Sequence, residues 1–315
     1  MEKGIRGFLG IAGRPHRRAL TAAIVLCVAA IAAATFLGTS PATLTAAKRR
    51  VVHRKVVRHW VPAARTAWQW ELDHALNVHS ASDMGTSGTL FTGPAAPAPQ
   101  VYDIDGFDNS AATVNLLHRM HKRVICYLSV GTWENWRPDQ AAFPAALRGN
   151  ADPGWSGEQW LNVGRSRYLG TLQAIMYRRL VMCRSKHFDG VEFDNMDVAE
   201  NNSGFNVSIG QDNAYVRWLA AKAHSLGLAA GQKNYLDQSG ALVRSMDFVI
   251  SEQCFQYGNC GQLAPYTRAH KAVFEAEYQD QGANPAGYCP ASNQLNLNTD
   301  EFMTNLDGSL RVTCR

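Results

Sequence analysis

The sequence predicts an α/β protein, a single (β/α)8 TIM-type barrel over residues 66–315, preceded by an N-terminal export segment and a basic linker. Three observations predict it. Short β-branched and aromatic runs alternate with helical stripes over roughly seven or eight units, which argues for a parallel sheet. The 250 residues after the linker match the usual length of one closed barrel. No Gly-x-Gly-x-x-Gly follows a strand-like run, which argues against a doubly wound dinucleotide fold. With 46% hydrophobic and 18% charged residues in 315, the chain can bury a large core and is not a disordered polymer.

Residues 1–47 read as a targeting segment. Lys3, Arg6, Arg14, Arg17 and Arg18 precede Ala19–Leu37, nineteen residues without a charge, and the small residues Thr45-Ala46-Ala47 follow. That order is the layout of a cleaved secretory signal. The same apolar run is just long enough to span a bilayer, so an uncleaved membrane tether is the alternative. The body is expected to be secreted, or held at the cell surface. Residues 48–65 carry a second basic cluster around Lys48, Arg49, Arg50, Arg54, Lys55 and Arg58 and are expected to be a solvated linker.

After Pro62 the pattern becomes regular. Trp68, Trp70 and Leu72 alternate within Thr66–Leu72, a strand pattern. Residues 77–99 are rich in Gly, Ser, Pro and Ala and read as loop. Gln100–Asp105 is a short strand, and Ala111–His121 places Val114, Leu117 and Met120 on one helical stripe. Arg123–Val130 is a buried strand by its apolar run. A helix follows with Ser166 as N-cap, running to about Lys186, with Leu169, Leu172, Ile175, Met176 and Leu180 on one face. Gly190–Asp194 is the next strand. Asp212 is expected to cap a helix lined by Val216, Leu219, Ala220, Ala223 and Leu226, which Gly227 stops. Strands at Leu228–Gln232, Phe248–Glu252 and Ala272–Glu277 complete the series.

The formal net charge of +5 conceals an asymmetry. Residues 1–65 hold twelve Lys and Arg against Glu2 alone, whereas residues 66–315 hold 19 against 25 Asp and Glu. The folded body is therefore acidic, which excludes a basic nucleic-acid-binding surface. Of seven cysteines, Cys27 lies in the apolar segment and six lie in the body. An even six in an exported chain implies up to three disulfides. Cys254 and Cys260 bracket a Gly-containing loop and are expected to pair, with Cys126–Cys183 and Cys289–Cys314 completing the set. There is no zinc-ribbon spacing and no His-Glu-x-x-His, so neither a metal nor another cofactor is expected.

Catalytic groups of a barrel gather at the C-terminal ends of its strands. Those ends carry Asp103 and Asp105; Ser129, Gly131 and Glu134; Glu192, Asp194, Asn195 and Asp197; Lys233 and Asn234; Glu252; and Glu275, Glu277 and Tyr278. Any one acid at a loop is more often structural than catalytic, but here acids recur at almost every strand end. Asp194 and Glu252 end separate apolar strands. Two carboxyls over a barrel mouth suit glycoside hydrolysis, one protonating the leaving oxygen and the other attacking the anomeric carbon or activating water. Trp68, Trp70, Tyr127, Trp133, Trp136, Trp160, Tyr257 and Tyr278 flank the same loops, as a sugar site would require.

At these residues the sequence resembles glycoside hydrolase family 114, the endo-α-1,4-polygalactosaminidases, from about Thr66 to Cys314. The resemblance is carried by Trp-Gln-Trp at 68–70, Tyr-Asp-Ile-Asp at 102–105, Cys-Tyr-Leu-Ser-Val-Gly at 126–131 and Glu134 with Trp136-Arg137-Pro138-Asp139. It continues through Phe-Asp-Gly-Val-Glu-Phe-Asp-Asn-Met-Asp at 188–197, Lys233-Asn234, Glu-Gln-Cys-Phe-Gln-Tyr-Gly at 252–258 and Phe-Glu-Ala-Glu-Tyr at 274–278. It implies a TIM-type barrel that cleaves α-1,4-linked galactosamine polymers with retention, Asp194 being the nucleophile and Glu252 the general acid/base. Trp68, Trp70, Asp105, Tyr127, Glu134, Lys233, Asn234, Glu277 and Tyr278 would contact or support the substrate.

The sequence departs from the family pattern at Asn259, where an acid is usual, at Phe193 for proline and at Gln232 for leucine. An acidic barrel would attract a cationic galactosamine polymer, the expected partner. A monomer is expected. The competing functions are a non-catalytic binding protein for a cationic polysaccharide and a hydrolase of a different α-galactoside.

Overall fold

The computed structural model describes residues 58–315; the export segment with Ala19–Leu37, and the linker up to residue 57, lie outside the described residues. In chain order the elements are β1 (Trp68–Glu71), β2 (Thr89–Leu90), β3 (Val101–Asp105), α1 (Ala111–Arg119), β4 (Arg123–Ser129), β5 (Thr132–Glu134), β6 (Arg148–Ala151) and β7 (Glu158–Leu161). They continue with α2 (Leu169–Ser185), β8 (Gly190–Asp194), α3 (Ile209–Leu226), β9 (Ala229–Lys233), α4 (Ser239–Leu242) and β10 (Phe248–Glu252). The last are α5 (Ala264–Arg268), β11 (Ala272–Tyr278), α6 (Pro285–Leu295), β12 (Asn298–Phe302) and β13 (Val312–Thr313).

Eight strands pair in parallel in the order β1-β3-β4-β8-β9-β10-β11-β12. This is the expected TIM-type sheet. Among the described residues β1 and β12 share no ladder; the seam between them is closed by other means. The Trp68 indole N–H donates to the Asn298 carbonyl at 3.1 Å, and Arg311 Nε reaches both the Trp68 carbonyl at 2.9 Å and the Asp300 carboxylate at 2.8 Å. β13 pairs antiparallel to β12, and β2 is added beyond it. A separate small sheet, β5-β7-β6, sits in the connection between β4 and α2.

Side chains of the parallel strands alternate between the barrel interior and the helices. Trp68, Trp70, Ile125, Phe248, Ile250, Phe274, Ala276, Tyr278 and Phe302 form one buried cluster inside. Ile104, Val124, Val191, Phe193, Val249 and Val273, at the intervening positions, pack with Val114 and Leu117 of α1, Leu172 to Leu180 of α2 and Val216 to Ala223 of α3. The interior is tight: a Cβ on Gly231 would lie 2.3 Å from the Phe248 ring. Cys126–Cys183 ties β4 to α2, Cys254–Cys260 closes the loop after β10, and Cys289–Cys314 ties α6 to the chain end, the three expected pairs.

Three local expectations are corrected. α2 starts at Leu169 without a side-chain cap, so Ser166 lies outside it. α3 is capped by Ser208 and Gln211, a reciprocal capping box that satisfies two backbone donors; Asp212 instead accepts the Ala199 N–H from inside the first turn. The eighth barrel strand, Asn-Thr-Asp-Glu-Phe, is fully buried yet too polar to show the apolar run by which the other strands are read. No helix of the described residues is long and apolar enough to cross a membrane.

Candidate active site

The C-terminal ends of the parallel strands open on a cavity of about 680 Å³. The last inward positions of successive strands line it: Trp70, Asp105, Tyr127, Asp194, Lys233, Glu252 and Tyr278. Nine carboxylates line the cavity against two cations, Arg137 and Lys233. The acids include Asp73, Asp108, Asp152, Glu158 and Asp197 on the rim loops.

Lys233 lies at the centre. Its ammonium is 3.2 Å from Asp194 Oδ1, 2.7 Å from Glu252 Oε2 and 3.8 Å from Glu192 Oε1, and 5.0 Å from the Trp70 ring centre. Burial opposes its charge, but Asp194, Glu252 and Glu192 outweigh burial and hold the Lys233 pKa well above the ordinary lysine value. It is a permanent cation. Asp194 is held at its other oxygen by the Tyr127 hydroxyl, which donates to Oδ2 at 2.7 Å.

Glu252 accepts from Tyr278 on Oε1 and from Asn234 Nδ2 at 2.9 Å on Oε2. Burial works against its ionisation, yet Lys233, Tyr278 and Asn234 together hold it below the usual glutamate range. Asn234 also accepts the Glu252 backbone N–H at 2.9 Å, a reciprocal clasp that its left-handed φ of 45° permits. Beneath this layer Asp103 and Glu192 are fully buried. Burial pushes Asp103 up to about 8 and Glu192 well above its ordinary value, with the Lys233 ammonium acting against both rises.

One wall is an ion network. Arg137, 6% exposed at its side chain, bonds Asp105 and Glu134, each at 2.6 Å. Arg179 of α2 joins Glu134 at 3.3 Å to Asp139 at 2.9 Å, and both guanidinium groups lie about 5 Å from the Phe107 ring centre. Asp105 Oδ1 also accepts from the N–H groups of Phe107 and Asp108. Asp105 and Glu134 are therefore fixed wall groups with their charges already matched. Behind Asp194, a Cβ on Gly131 would lie 1.6 Å from the Asn195 carbonyl oxygen, so only glycine lets these two strand ends touch.

A sequence model of glycoside-hydrolase family GH114 matches residues 52–314. The chain belongs to this family. The crystal structure of Aspergillus fumigatus Ega3 in complex with galactosamine is similar over 82% of this chain and 98% of that one, at 31% identity and a TM-score of 0.71. The glycoside hydrolase domain of PelA from Pseudomonas aeruginosa covers 78% of this chain and 98% of its own, at 13% identity and a TM-score of 0.57, a likeness of fold. Among curated proteins none matches. The chain is thus a glycoside hydrolase with a TIM-type fold.

The structure of this hydrolase brings Trp70, Asp105, Tyr127, Glu134, Asp194, Lys233, Asn234, Glu252 and Tyr278 to one cavity. Two residues expected at the substrate are elsewhere. Trp68 is fully buried two positions below Trp70, against Phe274 and Phe302. Glu277 takes the outward position beside Tyr278 and accepts the Phe255 N–H at 2.8 Å, bracing the loop after β10. The sequence pattern does not single out Arg179, a cation in mid-helix, or Glu158 on β7, which burial pushes up to about 7; neither lies in a barrel-strand ending. Among the described residues, His59, His224 and Asp247 present converging donor atoms within 4.8 Å of one another, near the strand starts and away from the cavity.

Proposed function

We propose that this hydrolase cuts within α-1,4-linked galactosamine-containing polysaccharide, with retention, through Asp194 as nucleophile and Glu252 as general acid/base. The observation that carries the mechanism is the single Lys233 ammonium touching both carboxylates. Contacts of 3.2 and 2.7 Å to one nitrogen keep those two oxygens within about 5.9 Å of each other, near the roughly 5–5.5 Å spacing of retaining enzymes and short of the ~6.5–9.5 Å that an inverting water needs. The cavity's excess of carboxylates supports a substrate bearing ammonium groups, and the likeness to Ega3, crystallised with galactosamine, supports the sugar.

In the first step protonated Glu252 gives its proton to the glycosidic oxygen, the bond from that oxygen to the anomeric carbon breaks, and an Asp194 oxygen bonds to that carbon. In the second, Glu252 takes a proton from water, the water oxygen bonds to the anomeric carbon, and the Asp194 ester bond breaks. Negative charge passes from Asp194 to Glu252 as the ester forms. Lys233 faces a carboxylate before and after, so the site undergoes no net change of charge. Three disulfides support an exported protein, secreted or tethered through Ala19–Leu37.

The test incubates the full chain with de-N-acetylated α-1,4-polygalactosamine and follows released oligomers by mass spectrometry beside Asp194→Asn. A ladder from wild type alone, with products first appearing as the α-anomer by NMR, is expected. Binding without cleavage by the wild type would favour a polysaccharide-binding protein.

A further inference from the structure

A second cavity, of about 440 Å³, adjoins the first and shares Asn234 and Glu252 with it, but not Asp194 or Lys233. The loop after β10 forms one side. Its Tyr257 is 66% exposed, although the loop that carries it is closed by Cys254–Cys260. The same loop is pinned to β11, where Glu275 accepts the Cys254 N–H and Glu277 the Phe255 N–H, each at 2.8 Å, and Phe255 stacks on Tyr288. A large aromatic ring is thus presented to solvent on a rigid mount. Such a ring loses little conformational freedom when a ligand covers it.

The opposite side holds the exposed acids Glu200 and Asp237. Between them the floor includes Tyr235, 3% exposed, whose hydroxyl has no partner among the described residues. The Asn259 side-chain oxygen is likewise buried and unpartnered at the cavity. Buried polar atoms without partners are costly, and these two lie just beneath the cavity surface. Asn234 and Tyr235 both adopt left-handed backbone, at φ 45° and 55°. This strained pair sends neighbouring side chains to different places, Asn234 to Glu252 and Tyr235 to the second cavity.

We propose that this second cavity is a leaving-group subsite, which holds an amino sugar on the reducing-end side of the cleaved bond with Tyr257 under its ring and Glu200 and Asp237 facing its amine. The inference rests on the assignment of Glu252 as general acid. The acid must touch the bond's leaving oxygen, so the leaving sugar lies on the side that Glu252 borders and Asp194 does not. The ligand class follows from the lining: an aromatic face for the sugar ring, two carboxylates for one ammonium, and the neutral amides of Gln253 and Gln262 for hydroxyls.

The experiment uses the full chain as wild type, Tyr257→Ala and Glu200→Gln, with α-1,4-galactosamine oligomers of increasing length. A parallel set is N-acetylated at the reducing-end unit. Cleavage in ¹⁸O-water marks each new reducing end, so mass spectrometry reads which bond was cut. In wild type the chosen bond leaves a reducing-end fragment long enough to reach Tyr257, and lengthening that fragment raises kcat/KM. In Tyr257→Ala that gain falls about tenfold and the cut moves toward the reducing end. Glu200→Gln reduces the preference for a free amine over N-acetyl at that unit by about tenfold. Unchanged cleavage positions and length dependence in both variants would overturn the subsite. Calorimetric binding of the same oligomers to Asp194→Asn, with and without Tyr257→Ala, reads the subsite without turnover. Lack of cleavage by wild type removes the catalytic reading alone, whereas equal affinity with and without Tyr257 removes the subsite.

Discussion

Lys233 Nζ lies 2.7 Å from Glu252 Oε2, so the residue proposed as general acid is held toward its carboxylate form by a buried cation. An acid that must donate a proton is more often raised in pKa than lowered. Here the lowered value has a counterpart later in the cycle. In the proposed retaining cycle, once Asp194 is esterified Glu252 would be the nearest remaining carboxylate to Lys233, and the same contact would stabilise it after it has lost its proton. On that proposed mechanism the arrangement favours the intermediate at the expense of working pH.

Activity should therefore fall as pH rises through the Glu252 pKa, giving an acidic optimum. Lys233→Met removes the cation that holds Glu252 down, so the alkaline limb of kcat/KM moves up by about one pH unit or more. The same change lowers kcat by about a hundredfold through lost charge stabilisation. A pH–rate profile of both proteins on galactosamine oligomers checks this; an unmoved alkaline limb would separate Lys233 from Glu252.

The excess of carboxylates over cations at the cavity would attract a polyamine over several ångströms of solvent, a force that salt screens with a length of about 8–10 Å near 0.1–0.15 M. Raising salt from about 20 to about 500 mM, concentrations chosen on that scale, should lower kcat/KM for polygalactosamine by about tenfold or more. A fully N-acetylated polymer should show a flat response. Equal salt dependence on the two polymers would mean that charge does not select the substrate.

Much of this site is legible in the sequence because a strand's alternation is a local rule. Asp194, Lys233, Glu252 and Tyr278 end apolar or tightly packed strands and share the inward position. The same rule, applied one residue more strictly, sends Glu277 outward, since Tyr278 beside it faces in. Trp68 departs from expectation for another reason. Trp68 and Trp70 share a face, but only depth along the barrel axis separates core from cavity, and depth comes from the register β1 takes with β3. Arg179 is invisible in the sequence because its partners, Glu134 and Asp139, lie 45 and 40 positions away. β12 is hidden because its polar residues find their partners only in the fold, Asn298 at the Ala64 and Val273 carbonyls and Asp300 at Arg311.

Cys126 and Cys183 join the centre of the sheet to α2, the helix that also carries Arg179. Replacing both with Ala should destabilise the barrel by about 2–4 kcal/mol, by the usual cost of opening a long loop. Denaturant titration measures this. Loss of activity at temperatures below the transition would show that Arg179 shifts with α2; retained activity would show that the ion network holds the helix end alone.

One guanidinium, beside the Trp68–Asn298 hydrogen bond, bridges the seam between β1 and β12. Arg311 is 4% exposed and bonds Asp300, which is 2% exposed, at 2.8 Å, while it also satisfies the Trp68 carbonyl. Burial raises the Asp300 pKa, and Arg311 acts against that rise. Arg311→Met would leave a buried carboxylate without its cation, at a cost of about 3–5 kcal/mol near neutral pH. The sign of the pH dependence is fixed by that loss. In the variant the folded-state pKa of Asp300 climbs further above the unfolded value, so the folded state binds the extra proton. The deficit is largest at neutral pH and shrinks as pH falls through the raised pKa. Adding Asp300→Asn should recover part of the loss at neutral pH and flatten this dependence. Urea titrations of the three proteins at about pH 5 and about pH 7, either side of that change, decide it: a deficit independent of pH would mean that Arg311 holds the seam through the Trp68 carbonyl and not through Asp300.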